Sequence, residues 1–154
     1  MKIEFSMYDP NLVKPMRDEV TALGFKELLN KNDVINEIGT QGTALVFVNS
    51  VCGCAAGKAR PGLKLAMKWA EENNFMPDRL LTVFAGMEKE AVNEVRRYFE
   101  PNPPSSPQIG MIKDGSLISL IPRHEIENTN EFVVAEKIVK LLQENCRKDY
   151  CYGQ

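Results

Sequence analysis

Apolar positions recur along this chain at two periods, and the switches between them predict its elements. From Asp9-Pro10 onward, Leu12, Met16, Val20 and Leu23 fall at helical spacing, with Gly24 as the stop. Pro15 lies inside that stretch and predicts a break or kink, because it lacks a backbone donor. A short helix is predicted over 33–38, capped by Asn32 and ended by Gly39. Residues 43–49 contain the uninterrupted apolar run 44–48, the pattern of a strand buried on both faces. A helix-compatible segment spans 55–73, with Leu63, Ala66, Met67 and Ala70 on one side and a kink expected at Pro61. Residues 80–85 read as a second buried strand, and 88–99 as an amphipathic helix through Ala91, Val92, Val95 and Phe99. A loop rich in Pro and Ser covers 101–107. Short strands at 108–112 and 117–121 then flank Lys113-Asp114-Gly115, and Asp-Gly between apolar runs is a hairpin signal. The cleanest helix is 131–145, with Phe132, Ala135, Ile138, Val139 and Leu142 on one face.

The core order is strand, helix, strand, helix, hairpin, helix. Alternating elements predict an α/β fold with parallel strands and helical crossovers, and the hairpin adds an antiparallel edge. With cysteines placed where the first core strand ends, this resembles the thioredoxin-like arrangement. The expectation is a central mixed sheet flanked by helices, with an N-terminal helical extension over 1–40. Residues 1–154 are expected to form a single domain, and 146–154 a polar, frayed tail.

Composition narrows the classes. The chain is 154 residues long, 44% hydrophobic and 26% charged, within the ordinary globular range. Net charge is −2, from 19 Lys+Arg against 21 Asp+Glu, and no long basic block appears; nucleic acid is not expected as a partner. No apolar run approaches a membrane span, and Met1-Lys2-Ile3-Glu4-Phe5 lacks the apolar stretch of a signal peptide. A cytoplasmic protein with no membrane partner is expected. Four cysteines in a reducing compartment point to catalysis, metal binding or free thiols rather than a disulfide framework.

The chemistry concentrates in Val51-Cys52-Gly53-Cys54-Ala55-Ala56-Gly57, between the first core strand and the helix after it. Unpaired N–H groups and the dipole at a helix start stabilise thiolate, so the pair is a candidate thiol–disulfide exchange site. Ordinary buried thiols are the plainer reading, but a Gly/Ala-rich strand–helix turn is unusual company for mere packing. Zinc commonly takes four ligands, and no second tight pair of cysteines is present. A Cys52–Cys54 disulfide would close a ring one residue smaller than a CxxC disulfide. Disulfide geometry has narrow optima, so such a ring stores strain and is easily reduced. Cys52, at the lip before the first turn and expected to be the more exposed, is the candidate nucleophile; Cys54, further in, is the candidate resolving thiol. Gly53 lets the backbone bend and leaves Cys52 open to a bulky partner. Lys58 and Arg60 add positive potential or, more plainly, form a solvated helix face.

Other residues carry weaker signals. Pro107 stands directly before a strand, with Asn102-Pro103 and Pro103-Pro104 as competitors for any special bond. X–Pro bonds are mostly trans. The thioredoxin-like arrangement nevertheless puts a cis-proline before this strand, facing the cysteines, where the backbone of Ser106 would pair with an extended substrate. His124 reads as a general base or, more plainly, as a cap at a strand–helix junction. Trp69 reads as core or rim. Cys146 and Cys151 read as a regulatory disulfide or as spare thiols of a frayed tail.

The stretch Val48-Asn49-Ser50-Val51-Cys52-Gly53-Cys54-Ala55-Ala56-Gly57, followed by Ala59-Arg60-Pro61, closely resembles the bacilliredoxin family, thioredoxin-like bacterial proteins with a CxC motif. Leu12-Val13-Lys14-Pro15-Met16-Arg17 with Gly24-Phe25, and Ile121-Pro122-Arg123-His124-Glu125-Ile126, extend the likeness over nearly the whole chain. The resemblance implies removal of bacillithiol, a low-molecular-weight thiol, from S-bacillithiolated client proteins, with Cys52 as nucleophile and bacillithiol as co-substrate. No bound cofactor is implied. An NADPH-dependent flavin bacillithiol disulfide reductase would close the cycle. Two other activities stay open: protein disulfide isomerisation or general disulfide reduction by the Cys52/Cys54 pair, and metal binding through the CxC thiols with help from the tail.

Overall fold

The computed structural model describes residues 6–146. Five strands form one mixed sheet, in the order β1-β3-β2-β4-β5. The strands are β1 (Lys26–Glu27), β2 (Thr43–Asn49), β3 (Arg79–Phe84), β4 (Gln108–Lys113) and β5 (Ser116–Ile121). β1, β3 and β2 run parallel, whereas β4 is antiparallel to β2 and β5 to β4. The parallel strands need crossovers, supplied by α2 (Lys31–Ile38) between β1 and β2 and α3 (Arg60–Asn73) between β2 and β3, while α4 (Lys89–Tyr98) leads from β3 to the antiparallel β4. The antiparallel pair needs only a tight turn: Asp114 and Gly115 both hold positive φ, 51° and 82°, as a two-residue hairpin loop demands.

β2 lies at the centre and is buried along its whole length. Its alternate side chains serve two cores. Leu45 and Phe47 join Leu63, Ala66 and Ala70 of α3 and Val134, Ile138 and Leu142 of α6 (Glu131–Asn145). Ala44, Val46 and Val48 join Val34 and Ile38 of α2 and Val92 and Val95 of α4. The result is three layers, helix pair on sheet on helix pair. Each fully buried Val, Leu, Ile or Phe contributes roughly 1.5–3 kcal/mol, so this central strand anchors both faces. On the first face α3 and α6 come close because Gly62 has no side chain. A Cβ there would stand 2.7 Å from Val134 Cγ1.

Several expectations need correction. The first helix, α1, is Pro10–Thr21, capped by Asp9, and its buried residues are Val13 and Val20, while Leu12 is exposed. The inward stripe is Val13, Met16/Arg17 and Val20, because Arg17 is drawn in between Glu27 at 2.6 Å and Glu88 at 2.5 Å, over the ring of Phe84. α2 starts two residues earlier than expected, since Asn30, not Asn32, caps it by accepting from the Asp33 N–H at 2.9 Å. The segment over 1–40 is not purely helical, because β1 joins the sheet edge beside β3. Phe132 is 64% exposed, lying about 120° around the helix from the stripe centred on Ile138. The tail beyond residue 146 lies outside the described residues, and Cys151 with it, but Cys146 is buried in the α3/α6 core rather than frayed.

Candidate active site

The chain leaves β2 at Asn49 and reaches the two cysteines within five residues. A polar network holds this loop from below. Asn49, almost fully buried, donates through Nδ2 to the Met16 carbonyl at 3.1 Å. Its Oδ1 accepts from the Ser50 N–H at 2.8 Å and from Arg60 Nη1 at 3.0 Å. Arg60 Nη1 also donates to the Ser50 carbonyl at 2.9 Å. Arg60 is only 4% exposed, so it is a structural tie under the loop and not the solvated helix face expected for it. Its Nε faces Glu19 Oε1 at 3.3 Å without hydrogen-bond alignment.

After the cysteines the chain does not enter a kinked α-helix. Residues Ala55–Ala59 form a π-helical turn, with the Arg60 N–H donating to the Ala55 carbonyl, and the α-helix proper begins at Arg60. The cause is Pro61: it cannot donate, and its ring would strike a carbonyl one turn back in a continuous α-helix. Placed in the first turn of α3, where no donor is needed, the same proline is tolerated. Wider turns of this kind often mark functional sites.

Cys52 and Cys54 are both free thiols, both half-buried, with sulfurs 2.7 Å apart. Cys52 is therefore not the distinctly more exposed of the two. What separates the sulfurs is their hydrogen bonding. Burial alone would push Cys52 up, but hydrogen bonds from the Cys54 thiol, from Ser50 and from the backbone N–H groups of Ala55 and Cys54 outweigh it and hold Cys52 below the ordinary thiol range. Cys54 is pushed up by burial, by its hydrogen bond to Cys52 and by the neighbouring negative charge; the charge of Arg123 opposes this in part. A more acidic thiol hydrogen-bonded to a less acidic one is the arrangement a nucleophile and its resolving partner require. Gly53 does not use the freedom expected of it, since its φ is not positive, but a Cβ there would meet nothing within 4 Å, so it leaves open space beside the pair.

The opposite wall comes from the start of β4. Val48 pairs with Gln108, so Ser106-Pro107 lies at the same sheet end as the cysteine loop. The Ser106–Pro107 bond is cis, and so is Glu100–Pro101, which no sequence signal had singled out; Asn102-Pro103 and Pro103-Pro104 are trans. Pro107 is buried, and the Ser106 carbonyl is engaged by Arg123 Nη1 at 3.2 Å. Arg123 opens the short helix α5 (Arg123–Glu127), which sequence patterning did not predict. It lies near enough for its charge to act on both sulfurs. Arg123 is thus the cation of the site, in the place assigned by sequence to Lys58 and Arg60; Lys58 instead donates to the Glu127 carbonyl. The available signal in the sequence is its position directly after Pro122 and beside His124. His124 itself is exposed, at the rim of a pocket beside Arg123.

The remaining expected residues lie elsewhere. Trp69 stacks on Phe75 with ring centroids 5.3 Å apart, at the rim of the α3/α6 core. Cys146 sits at the far end of β2, where Thr43 bonds its thiol. It cannot join Cys52 and Cys54 in one metal site, and among the described residues no group of three His, Cys, Asp or Glu side chains converges as metal ligands would.

Comparison with known proteins agrees with this geometry. The fold matches that of a putative oxidoreductase with a thioredoxin fold, at TM-score 0.53 and 12% identity, covering 73% of this chain and 90% of that one. It also matches the oxidised thioredoxin of Plasmodium falciparum, at TM-score 0.53 and 13% identity, covering 80% and 99%. Fold and paired thiols together define a thiol–disulfide oxidoreductase of the thioredoxin class. A family model described as disulphide isomerase matches residues 8–146. A bacilliredoxin of Halalkalibacterium halodurans is 43% identical over 147 residues, covering 95% of this chain and 99% of that protein. A bacilliredoxin of Staphylococcus aureus is 38% identical over 148 residues, covering 96% and 99%. The chain belongs to the bacilliredoxin family. Among the described residues no helix is long and apolar enough to cross a membrane.

Proposed function

We propose that this protein removes bacillithiol from S-bacillithiolated client proteins in the cytoplasm, with Cys52 as the nucleophile. The observation that carries the reading is the inequivalent thiol pair, one sulfur lowered by hydrogen bonds and its neighbour raised, at an open strand–helix turn. The Cys52 thiolate attacks the bacillithiol sulfur of the mixed disulfide. A Cys52–bacillithiol disulfide forms, the client–bacillithiol bond breaks, and the client leaves as thiolate, which takes a proton from solvent. This exchange changes no net oxidation state. A second, free bacillithiol thiolate then attacks the sulfur of the bacillithiol held on Cys52; the Cys52–bacillithiol bond breaks, Cys52 returns as thiolate and bacillithiol disulfide leaves, so one free small thiol is oxidised for each client reduced. Alternatively the Cys54 thiolate attacks Cys52, forming the intramolecular disulfide and releasing bacillithiol. A flavin- and NADPH-dependent bacillithiol disulfide reductase would recycle the oxidised small thiol. Ser106 and Pro107 would form the wall along which the client chain lies, with Gly53 giving it room.

The test is to mix a bacillithiolated client with purified protein and follow the adduct by mass. Cys52→Ala is expected to abolish removal; a variant as fast as wild type refutes the assignment. The disulphide isomerase description of the matching family model supports a second reading, rearrangement of protein disulfides by the pair. Cys54→Ala separates the two: it keeps adduct removal if a single thiol suffices, and loses rescue of scrambled protein disulfides if both are needed.

A further inference from the structure

A pocket of about 320 Å³ opens directly beside the cysteine site, within the range of small-molecule sites, and none of the foregoing steps uses it. Arg123 is common to both. On one side it bonds the Ser106 carbonyl and acts on the sulfurs; on the other it lines the pocket with His124, Ser105, Asn102 and Glu127. Pro103, Leu120 and Pro122 supply the apolar part of the lining. The polar groups are well placed for a small zwitterion or anion. Arg123 spends Nη1 on Ser106 and Nε on Glu127 at 3.1 Å, leaving Nη2 without a hydrogen-bond partner among the described residues. Guanidinium edges match carboxylates in geometry and charge. The imidazole of His124 stands exposed at the rim, and the Glu127 carboxylate suits an ammonium group.

We propose that this pocket is the subsite for the non-sulfur portion of the small thiol, with Arg123 anchoring a carboxylate of that thiol while its sulfur reaches Cys52. The inference rests on the exchange reading above and deepens it: selectivity lies in charge recognition of the small thiol whose sulfur Cys52 attacks, beyond the reactivity of that sulfur. Recognition of the client chain by the same groups is the competing outcome.

The experiment uses one client peptide carrying either bacillithiol, which bears carboxylates, or uncharged 2-mercaptoethanol, so that client contacts cancel. Arg123→Gln is expected to slow the bacillithiol disulfide about tenfold more than the 2-mercaptoethanol disulfide, the scale of one charge-assisted hydrogen bond. Equal slowing of both overturns the proposal and assigns Arg123 to the client or to the thiols alone. A second measurement needs no variant. His124 is the only histidine in the chain, so its ring resonance is unambiguous. Titrating wild-type protein with S-methyl bacillithiol, a thioether that cannot exchange, is expected to move that resonance saturably; an unmoved resonance overturns the proposal. Wild-type protein inert toward both disulfides would refute the exchange reading, and the His124 titration would still decide the pocket.

Discussion

The two ends of β2 each hold a thiol environment, and they are opposites. Beyond Asn49, Cys52 sits half-buried among donors: the Cys54 thiol, Ser50 and two backbone N–H groups. Beside Thr43, at the other end, Cys146 is buried at the C-terminal cap of α6 among Leu, Ile and Ala side chains. Burial pushes the Cys146 thiol up, aided by the nearby charge of Asp78, and a hydrogen bond from Thr43 with the charge of Lys113 only partly offsets this. Burial acts in the same direction on both sulfurs. The difference is the number of donors aimed at the sulfur, which decides whether a partly desolvated thiol is reactive or inert.

The broadest break of that comparison is chemical. Timed alkylation with iodoacetamide at pH 7, read by peptide mass mapping, is expected to modify Cys52 about 10³-fold faster than Cys146, from thiolate fraction and access combined. Its rate should level off below the ordinary thiol range as pH rises, while that of Cys146 continues to climb. Comparable rates would mean that the donors do not matter. Next in size is the support beneath the loop. Arg60→Met leaves Asn49 Oδ1 and the Ser50 carbonyl short of a buried donor, and it is expected to cost about 3 kcal/mol of stability in urea unfolding. The same variant should lower Cys52 reactivity; unchanged reactivity would detach the loop's chemistry from its foundation.

A third test addresses the inert end. The folded state holds the Cys146 proton more tightly than the unfolded chain does. That stability is fully present below the unfolded pKa and is lost as pH rises through the folded one. Cys146→Val is therefore expected to lessen the fall in Tm on the alkaline side while leaving thiol exchange intact, with a cost at neutral pH under about 1.5 kcal/mol for a near-isosteric swap. An undiminished fall would place its cause elsewhere. The smallest effect is Ser50→Ala. It removes one donor from the Cys52 sulfur and is expected to slow alkylation at pH 7 about threefold, in keeping with a single hydrogen bond worth roughly 0.5–1.5 kcal/mol. No change would leave the backbone N–H groups and Cys54 as the whole cause.

The sheet was legible wherever local pattern and tertiary burial coincide. Residues 44–48 are apolar throughout because both faces of β2 are covered, and Asp114-Gly115 turns because few other pairs tolerate positive φ twice in succession. The two-residue strand β1 and the five-residue helix α5 escaped notice, being too short to show a period. Phe132 and Leu12 join the apolar faces in the sequence pattern, yet both are exposed, because their angular positions fall outside the stripes that the packing selects.

By itself the sequence determined the order of the core elements from β2 to α6, short α5 excepted, and the place of the cysteines at the end of the first core strand, since both depend on neighbours along the chain. Only the tertiary structure decided that Arg60 is buried, that Arg123 is the cation of the site and that Cys146 is core rather than tail. Each of those depends on groups far apart in sequence: Asn49 with Met16, Arg123 with Ser106, Cys146 with Thr43. Hydrogen bonds and charges act over a few ångströms of space regardless of chain separation, and a linear pattern carries no record of which distant donors folding brings within that reach.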